Sequence, residues 1–220
     1  MMTSLVPFGD QAALAYFDDE TAALRFAAAV RLAQKPWVVD VVQAYKSVAV
    51  FFDLKQTQFT GVAGYLRELG TEPVPRAHSE PRLHHIPCCY EWGLDLARIA
   101  EHTGLTAEAA IRLHSETEYT VYAIGFCPGF PYLGYLAAPL CGVPRLPSPR
   151  VRVEAGSVGV TGRQTGIYTE SRPGGWNIIG RTPLELVNVA AGYFPLRTGD
   201  QVRFVRMDEA EFRRLSGQRL

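Results

Sequence analysis

The sequence predicts an α+β protein built in two parts. Three observations carry this. The first third reads as strand, helix, two strands and helix. Three prolines, Pro73, Pro75 and Pro81, then interrupt the chain. From Tyr119 onward come short β-prone runs divided by glycine and proline. A chain of 220 residues holds one large domain or two small ones. The expected division is 1–82 and 83–220, with Thr71 to Arg82 as the linker at the end of the first part.

In the first part, Gln11 to Phe17 reads as a strand. A helix is expected from Thr21 to Gln34, because Ala23, Phe26, Val30 and Ala33 recur near helical spacing. Lys35-Pro36 stops it, since the residue before proline avoids the α region. Val38 to Gln43 and Ser47 to Asp53 are rich in valine and aromatics, and their short gap predicts a hairpin. A second helix covers Gly61 to Leu69, with Gly70 in the place of a C-cap glycine. This β-α-β-β-α order is that of a split βαβ sandwich lacking its last strand, which Leu83 to Tyr90 is expected to supply.

In the second part, two short helices are expected, Leu96 to Glu101 and Ala107 to Leu113, capped by Asp95 and Thr106 and separated at Gly104. Seven runs then read as strands: Tyr119–Gly125, Val151–Glu154, Ser157–Thr161, Gly166–Thr169, Trp176–Gly180, Leu184–Val189 and Gln201–Val205. Many short strands with regular turn signals predict a closed β-barrel or a sandwich.

Acidic and basic side chains balance to a net charge of zero, with no basic stripe, so nucleic acid and membrane surfaces are not expected partners. The N-terminal MMTSLVPFGDQ lacks a basic segment followed by an apolar run, so no signal peptide is expected. Cys88, Cys89, Cys127 and Cys141 show neither disulfide-framework nor zinc spacing. The expectation is a reduced, cytoplasmic protein with no metal site.

The informative stretch runs from His114 to Thr182. It holds GFCPGFPYLG (125–134), PRLPSPR (144–150), AGSVG (155–159), QTGIY (164–168) and PGGWNIIGRTP (173–183). Glycine and proline at this density fix turns and let the backbone approach other groups closely. The arginines, glutamine, hydroxyls and aromatics between them exceed what a stability segment needs.

These five blocks, in this order, resemble the signature of the family that contains the 5-oxoprolinase B subunit and the kinase inhibitor KipI, also called allophanate hydrolase subunit 1. The resemblance covers nearly the whole chain. It implies a cyclophilin-like β-barrel preceded by a small α/β domain. It implies one part of a hydrolase that works with a larger C subunit and with an A subunit, cleaving 5-oxo-L-proline to L-glutamate with ATP. The alternative it carries is a KipI-like regulatory protein that inhibits a sensor histidine kinase. Four positions depart from the pattern: Glu154 and Thr169 stand where proline is usual, Arg172 where serine is common, and Leu94 within a usual Gly-Pro-Asp-Leu. Glu154 and Arg172 add charge beside the signature.

Opening a lactam is difficult because the amide is a poor electrophile. A site for it needs donors for phosphate and carboxylate and a base for water. No Walker A sequence is present, so phosphate binding of the P-loop kind is excluded. The catalytic candidates are His114 as general base, Arg150 as an anion-binding fork and Gln164 as an amide or carboxylate partner. Against these stand bland readings: a histidine at a helix C-terminus, an arginine tying loops together, a loop-stabilising glutamine. Ser157, Tyr168, Trp176 and Arg181 are the ligand-binding candidates; nothing around Ser157 makes it a nucleophile. Phe126, Phe130 and Tyr132 are the candidates for anchoring a partner, against burial in the core. Arg145 and Arg152 are read as structural or at a partner surface.

Overall fold

The structure is a computed structural model that describes residues 1–71 and 81–220. The chain divides into two compact units, Met1–Glu80 and Pro81–Leu220. Most of the expected linker falls outside the described residues.

The first unit contains β1 (Met2–Pro7), β2 (Ala12–Phe17), α1 (Glu20–Leu32), β3 (Val38–Ala44), β4 (Ser47–Phe52) and α2 (Phe59–Thr71). Its strands lie in the order β1-β2-β4-β3, every neighbouring pair antiparallel. Ala13 and Ala15 of β2, and Val48, Val50 and Phe52 of β4, alternate toward one face, where Phe26, Val30, Val62 and Leu66 of the helices cover them. Asp19 caps α1 by accepting from the Ala22 N–H at 2.7 Å.

Two expectations are corrected here. The strand that completes this sheet is β1, beside β2, and not residues 83–90. None of its six residues is buried, so no apolar alternation announced it. Gly70 does not cap α2 but lies inside its last turn. A Cβ there would sit 3.0 Å from Met2 Cε, so this glycine makes room for β1.

The second unit is a closed seven-strand barrel. Its strands are β5 (Leu83–Cys89), β6 (Glu118–Ile124), β7 (Pro131–Gly134), β9 (Ser157–Thr161), β10 (Gln164–Ile167), β12 (Asn177–Arg181) and β13 (Gln201–Met207). They run β6-β13-β5-β12-β9-β10-β7, and β7 pairs back onto β6. Only β5 and β13 are parallel; the other pairs are antiparallel. Period-2 alternation turns Tyr119 and Val121 of β6, and Val202 and Phe204 of β13, into the core. Helices α3 (Leu96–Thr103) and α4 (Ala107–Glu116) add Ile99, Ala110 and Ile111 to that core. A last helix, α5 (Glu209–Leu215), packs Phe212 with Cys89 and Met207. Outside the barrel, β8 (Arg150–Val153) and β11 (Arg172–Gly174) form a two-stranded ribbon.

Residues 83–90 thus serve the barrel, through β13 and β12. The strand expected at Leu184–Val189 makes only single bridges, Glu185 to Arg219 and Asn188 to Tyr193. Closure of the barrel leaves no free edge for it to join. Among the described residues no helix is long and apolar enough to cross a membrane.

Candidate functional site

The glycine blocks converge on one cleft of about 220 Å³, lined by Phe126, Phe130, Tyr132, Arg145, Pro149, Tyr168, Pro173, Gly174, Gly175 and Trp176. Its rings form one edge-to-face cluster. The Phe130 centroid lies 4.9 Å from Tyr132, 5.4 Å from Phe126 and Tyr168, and 5.5 Å from Trp176. The cluster fits because three glycines have no side chain. A Cβ on Gly166 would stand 2.9 Å from Phe130 Cζ, one on Gly159 3.0 Å from Trp176 Cβ, and one on Gly174 would overlap the Tyr168 hydroxyl. The close approach inferred for these blocks is therefore backbone to aromatic ring.

The loop before β7 holds Phe126 out over this cleft. Phe126 has φ 67°, and the Cys127 N–H bonds back to Gly125 O at 2.7 Å, a tight three-residue turn. A bulky residue in that region is strained, and such strain concentrates at functional sites. Thr169 Oγ1 donates to Pro128 O at 2.7 Å and pins the loop from the other side. Thus one departure from the family pattern, Thr169, has a positioning task. Phe126 remains 57% exposed while Phe130 is 2% exposed. Of the residues proposed to anchor a partner, Phe130 is thereby corrected to core; Tyr132 is half-buried on the cleft wall.

Arg145 stands at the lip. It is exposed, and among the described residues it makes no hydrogen bond or ion pair. Its backbone is held on both sides. Asn177 Nδ2 donates to Pro144 O at 2.9 Å, and the Leu146 N–H donates to Gly175 O at 2.7 Å. Burial raises the pKa of Tyr132 and Tyr168, against the weaker opposing pull of Arg145. Both phenols are therefore protonated donors at neutral pH.

Arg150 does not line the cleft. Its Nη2 donates to Asp95 Oδ1 at 2.7 Å, and Asp95 Oδ2 accepts from the Ile178 N–H at 2.7 Å. Asp95 therefore makes no side-chain cap to α3, contrary to expectation, but ties β8 to β12. Arg150 Nη1 is buried and lacks an acceptor among the described residues. The loop-tying reading of Arg150 is the one its contacts support.

His114 is corrected from general base to core. It is fully buried in the last turn of α4 and stacks on Phe204 at 4.6 Å. Thr165 Oγ1 donates to Gly159 O at 3.0 Å, so it must accept from His114 Nε2–H at 3.0 Å. Nδ1 then accepts from the Tyr90 hydroxyl at 2.8 Å. Every polar atom of the ring is satisfied in the neutral form. Burial pushes the His114 pKa down to about 3 from an ordinary 6.5. The unfolded chain protonates this ring below pH 6.5 and the folded chain does not. Its contribution to stability is complete above 6.5 and is lost as pH falls toward 3, by about 1.4 kcal/mol per unit. Urea unfolding at pH 7 and pH 5 should therefore show a drop about 2 kcal/mol larger for the native chain than for His114→Gln. Equal drops would place His114 in water.

The remaining candidates are scattered. Gln164 begins β10 opposite Gly134 and Thr161 and does not line the aromatic cleft. Ser157 is buried where β9 begins, its carbonyl accepting from the Tyr168 N–H. Gly156 before it needs φ 82°, and a Cβ there would overlap Thr182 O. Arg181 lines a second cleft, donates to Ala155 O at 2.9 Å and lies over Trp92 at 5.2 Å, which is again a tying role. Only Phe126, Phe130, Tyr132, Tyr168 and Trp176 are brought together, and Arg145 joins them. Glu154 and Arg172 are neutralised locally, by Arg152 and by Glu170, with Ser171 also donating to Glu154, and neither lines the cleft.

Residues 3–193 match the carboxyltransferase domain family, subdomains C and D. The chain is 35% identical to the 5-oxoprolinase B subunit of Bacillus subtilis (strain 168), over 93% of this chain and 92% of that one. It is 40% identical to the 5-oxoprolinase B subunit of Escherichia coli O157:H7, over 82% and 84%. The chain belongs to the family of 5-oxoprolinase B subunits. The same name on the relatives favours the enzyme-subunit reading over the kinase inhibitor. The crystal structure of TTHA0988 matches with a TM-score of 0.79 at 35% identity, over 90% of this chain and 40% of that longer chain. This family member thus spans less than half of that solved chain. Kluyveromyces lactis urea carboxylase matches with a TM-score of 0.69 at 15% identity, over 97% of this chain and 24% of that one, which shows the fold alone.

Proposed function

We propose that the chain is the B subunit of a cytoplasmic 5-oxoprolinase that opens 5-oxo-L-proline to L-glutamate with ATP, in complex with the A and C subunits. The observation that carries the reading is 35% identity across 93% of the chain to a protein of that name. Two further features support it. The same domain forms only 40% of the TTHA0988 chain, and a separate partner would take the place of the remainder. The cleft also offers donors and flat apolar walls but no carboxylate, histidine or lysine. It lacks a base for water, so the chemistry requires groups from elsewhere.

ATP does not fit the cleft residues. A magnesium triphosphate needs several phosphate donors and oxygen ligands for the cation, whereas the lining holds one arginine and no acidic side chain. In the proposed complex the nucleotide therefore lies outside this cleft.

The purified chain alone should release no glutamate from 5-oxo-L-proline and hydrolyse no ATP. Mixed with its A and C subunits it should do both, each depending on the other. Glutamate release by the lone chain, or an inert three-subunit mixture, overturns this reading.

A further inference from the structure

We propose that the aromatic cleft seats a small, flat, cyclic carboxylate, with Arg145 gripping the carboxylate and the Tyr132 and Tyr168 hydroxyls facing the ring carbonyl. In the 5-oxoprolinase reading, on which this rests, the ligand is 5-oxo-L-proline itself, and the lactam site lies on this chain.

The argument is one of charge and hydrogen-bond complementarity. Among the side chains lining the cleft, the polar groups are one guanidinium, two phenols and the Trp176 indole N–H, each able to donate, with no carboxylate or amide. Arg145 carries five N–H donors without a partner among the described residues. The Tyr168 hydroxyl sits beside the backbone N–H of Trp176, which works against the rise in its pKa from burial, and it keeps its own proton to give. The Tyr132 hydroxyl has no hydrogen bond among the described residues. A site of this kind matches a ligand that presents acceptors. A carboxylate suits the planar guanidinium fork, and a carbonyl suits a phenol.

Size and shape narrow the ligand further. A volume of about 220 Å³ is below the range of roughly 300–1,000 Å³ that drug-sized ligands occupy. It suits a single five- or six-membered ring. The walls are ring edges and faces of Phe126, Phe130, Tyr168 and Trp176, which favour a flat apolar ring over a flexible polar chain. The cradle is also pre-formed. Hydrogen bonds on both sides of Arg145 fix its backbone, so less ordering is lost on binding.

The test uses the chain alone and in the three-subunit complex. Binding to the chain is followed by Trp fluorescence and calorimetry with 5-oxo-L-proline, 2-pyrrolidinone, which lacks the carboxylate, and L-proline, which lacks the ring carbonyl. 5-Oxo-L-proline should bind tightest. Arg145→Ala should weaken it by about ten- to a hundred-fold, the loss of a charge-assisted hydrogen bond. Arg145→Lys should fall between, and Tyr132→Phe should weaken it less. In the complex, Arg145→Ala should raise KM for 5-oxo-L-proline by a similar factor and leave KM for ATP unchanged. Arg145 is exposed and has no partner among the described residues, so these variants should keep the native melting temperature. Arg152→Ala, away from the cleft, is the control. Unchanged KM and binding in Arg145→Ala, equal binding of 2-pyrrolidinone, or no binding with an unchanged KM overturns the inference while the functional reading stands. A complex that never turns over 5-oxo-L-proline sinks the functional reading instead, and the three-ligand titration on the chain still judges the cleft.

Discussion

Asp95→Ala is expected to lower the unfolding free energy by about 3 kcal/mol, because it orphans two groups at once. The Asp95 carboxylate is 8% exposed and bridges the Arg150 guanidinium, 28% exposed, to the Ile178 N–H. Removing it leaves a largely buried cation and a buried backbone donor without acceptors, the more so because Arg150 Nη1 already has none. An exposed ion pair would be worth under about 1 kcal/mol, so the magnitude discriminates. Arg150→Met should cost less, since Asp95 keeps its bond to Ile178. The double variant should be less damaging than the sum of the two, with a coupling of about 1–3 kcal/mol. Urea unfolding of the four proteins measures this. A loss below about 0.5 kcal/mol for Asp95→Ala would mean the pair is solvated. This assigns Arg150 to the fold and reverses its reading from the sequence as an anion-binding fork among the catalytic candidates.

That reversal shows what the sequence made legible and what it did not. PRLPSPR contains two arginines, Arg145 and Arg150, each beside a proline. Nothing local separates them. What does so is Asp95, 55 positions earlier, whose carboxylate takes Arg150, while Arg145 has no partner among the described residues. Asp95 itself read as a helix cap because it precedes α3, and only the barrel closure brings Ile178 to it. His114 is a similar case. Its place at the C-terminal end of α4 was legible, but Thr165 on β10 and Phe204 on β13, which make it a neutral core residue, come from distant strands. The glycine blocks were more legible, since their spacing already demanded close approach. Gly159, Gly166 and Gly174 serve that need by making space for rings. Strands with strict alternation, such as β6 and β13, were predictable. Edge strand β1, with nothing buried, carried no such signal.

The same contrast between buried and exposed rings separates Phe130 from Phe126. Phe130→Ala is expected to destabilise by about 3–5 kcal/mol. Its ring is 2% exposed and meets Tyr132, Tyr168, Trp176 and Phe126 edge to face. Truncation would leave a cavity that stiff aromatic neighbours, seated on glycine, fill poorly. Phe126→Gly should behave differently. That ring is 57% exposed, and its φ of 67° suits glycine better than phenylalanine. Relief of strain offsets the entropy of the new glycine, so stability should stay within about 1 kcal/mol of the native value. Yet the ring walls the open side of the cleft, and without it the three-subunit complex should lose about tenfold in turnover of 5-oxo-L-proline, the effect of one exposed aromatic anchor. Thermal melts and glutamate release on both variants decide the matter. A Phe130→Ala protein as stable as the native chain would show that the ring cluster is no core. Native turnover in Phe126→Gly would show that the strained turn holds its ring over the cleft without using it.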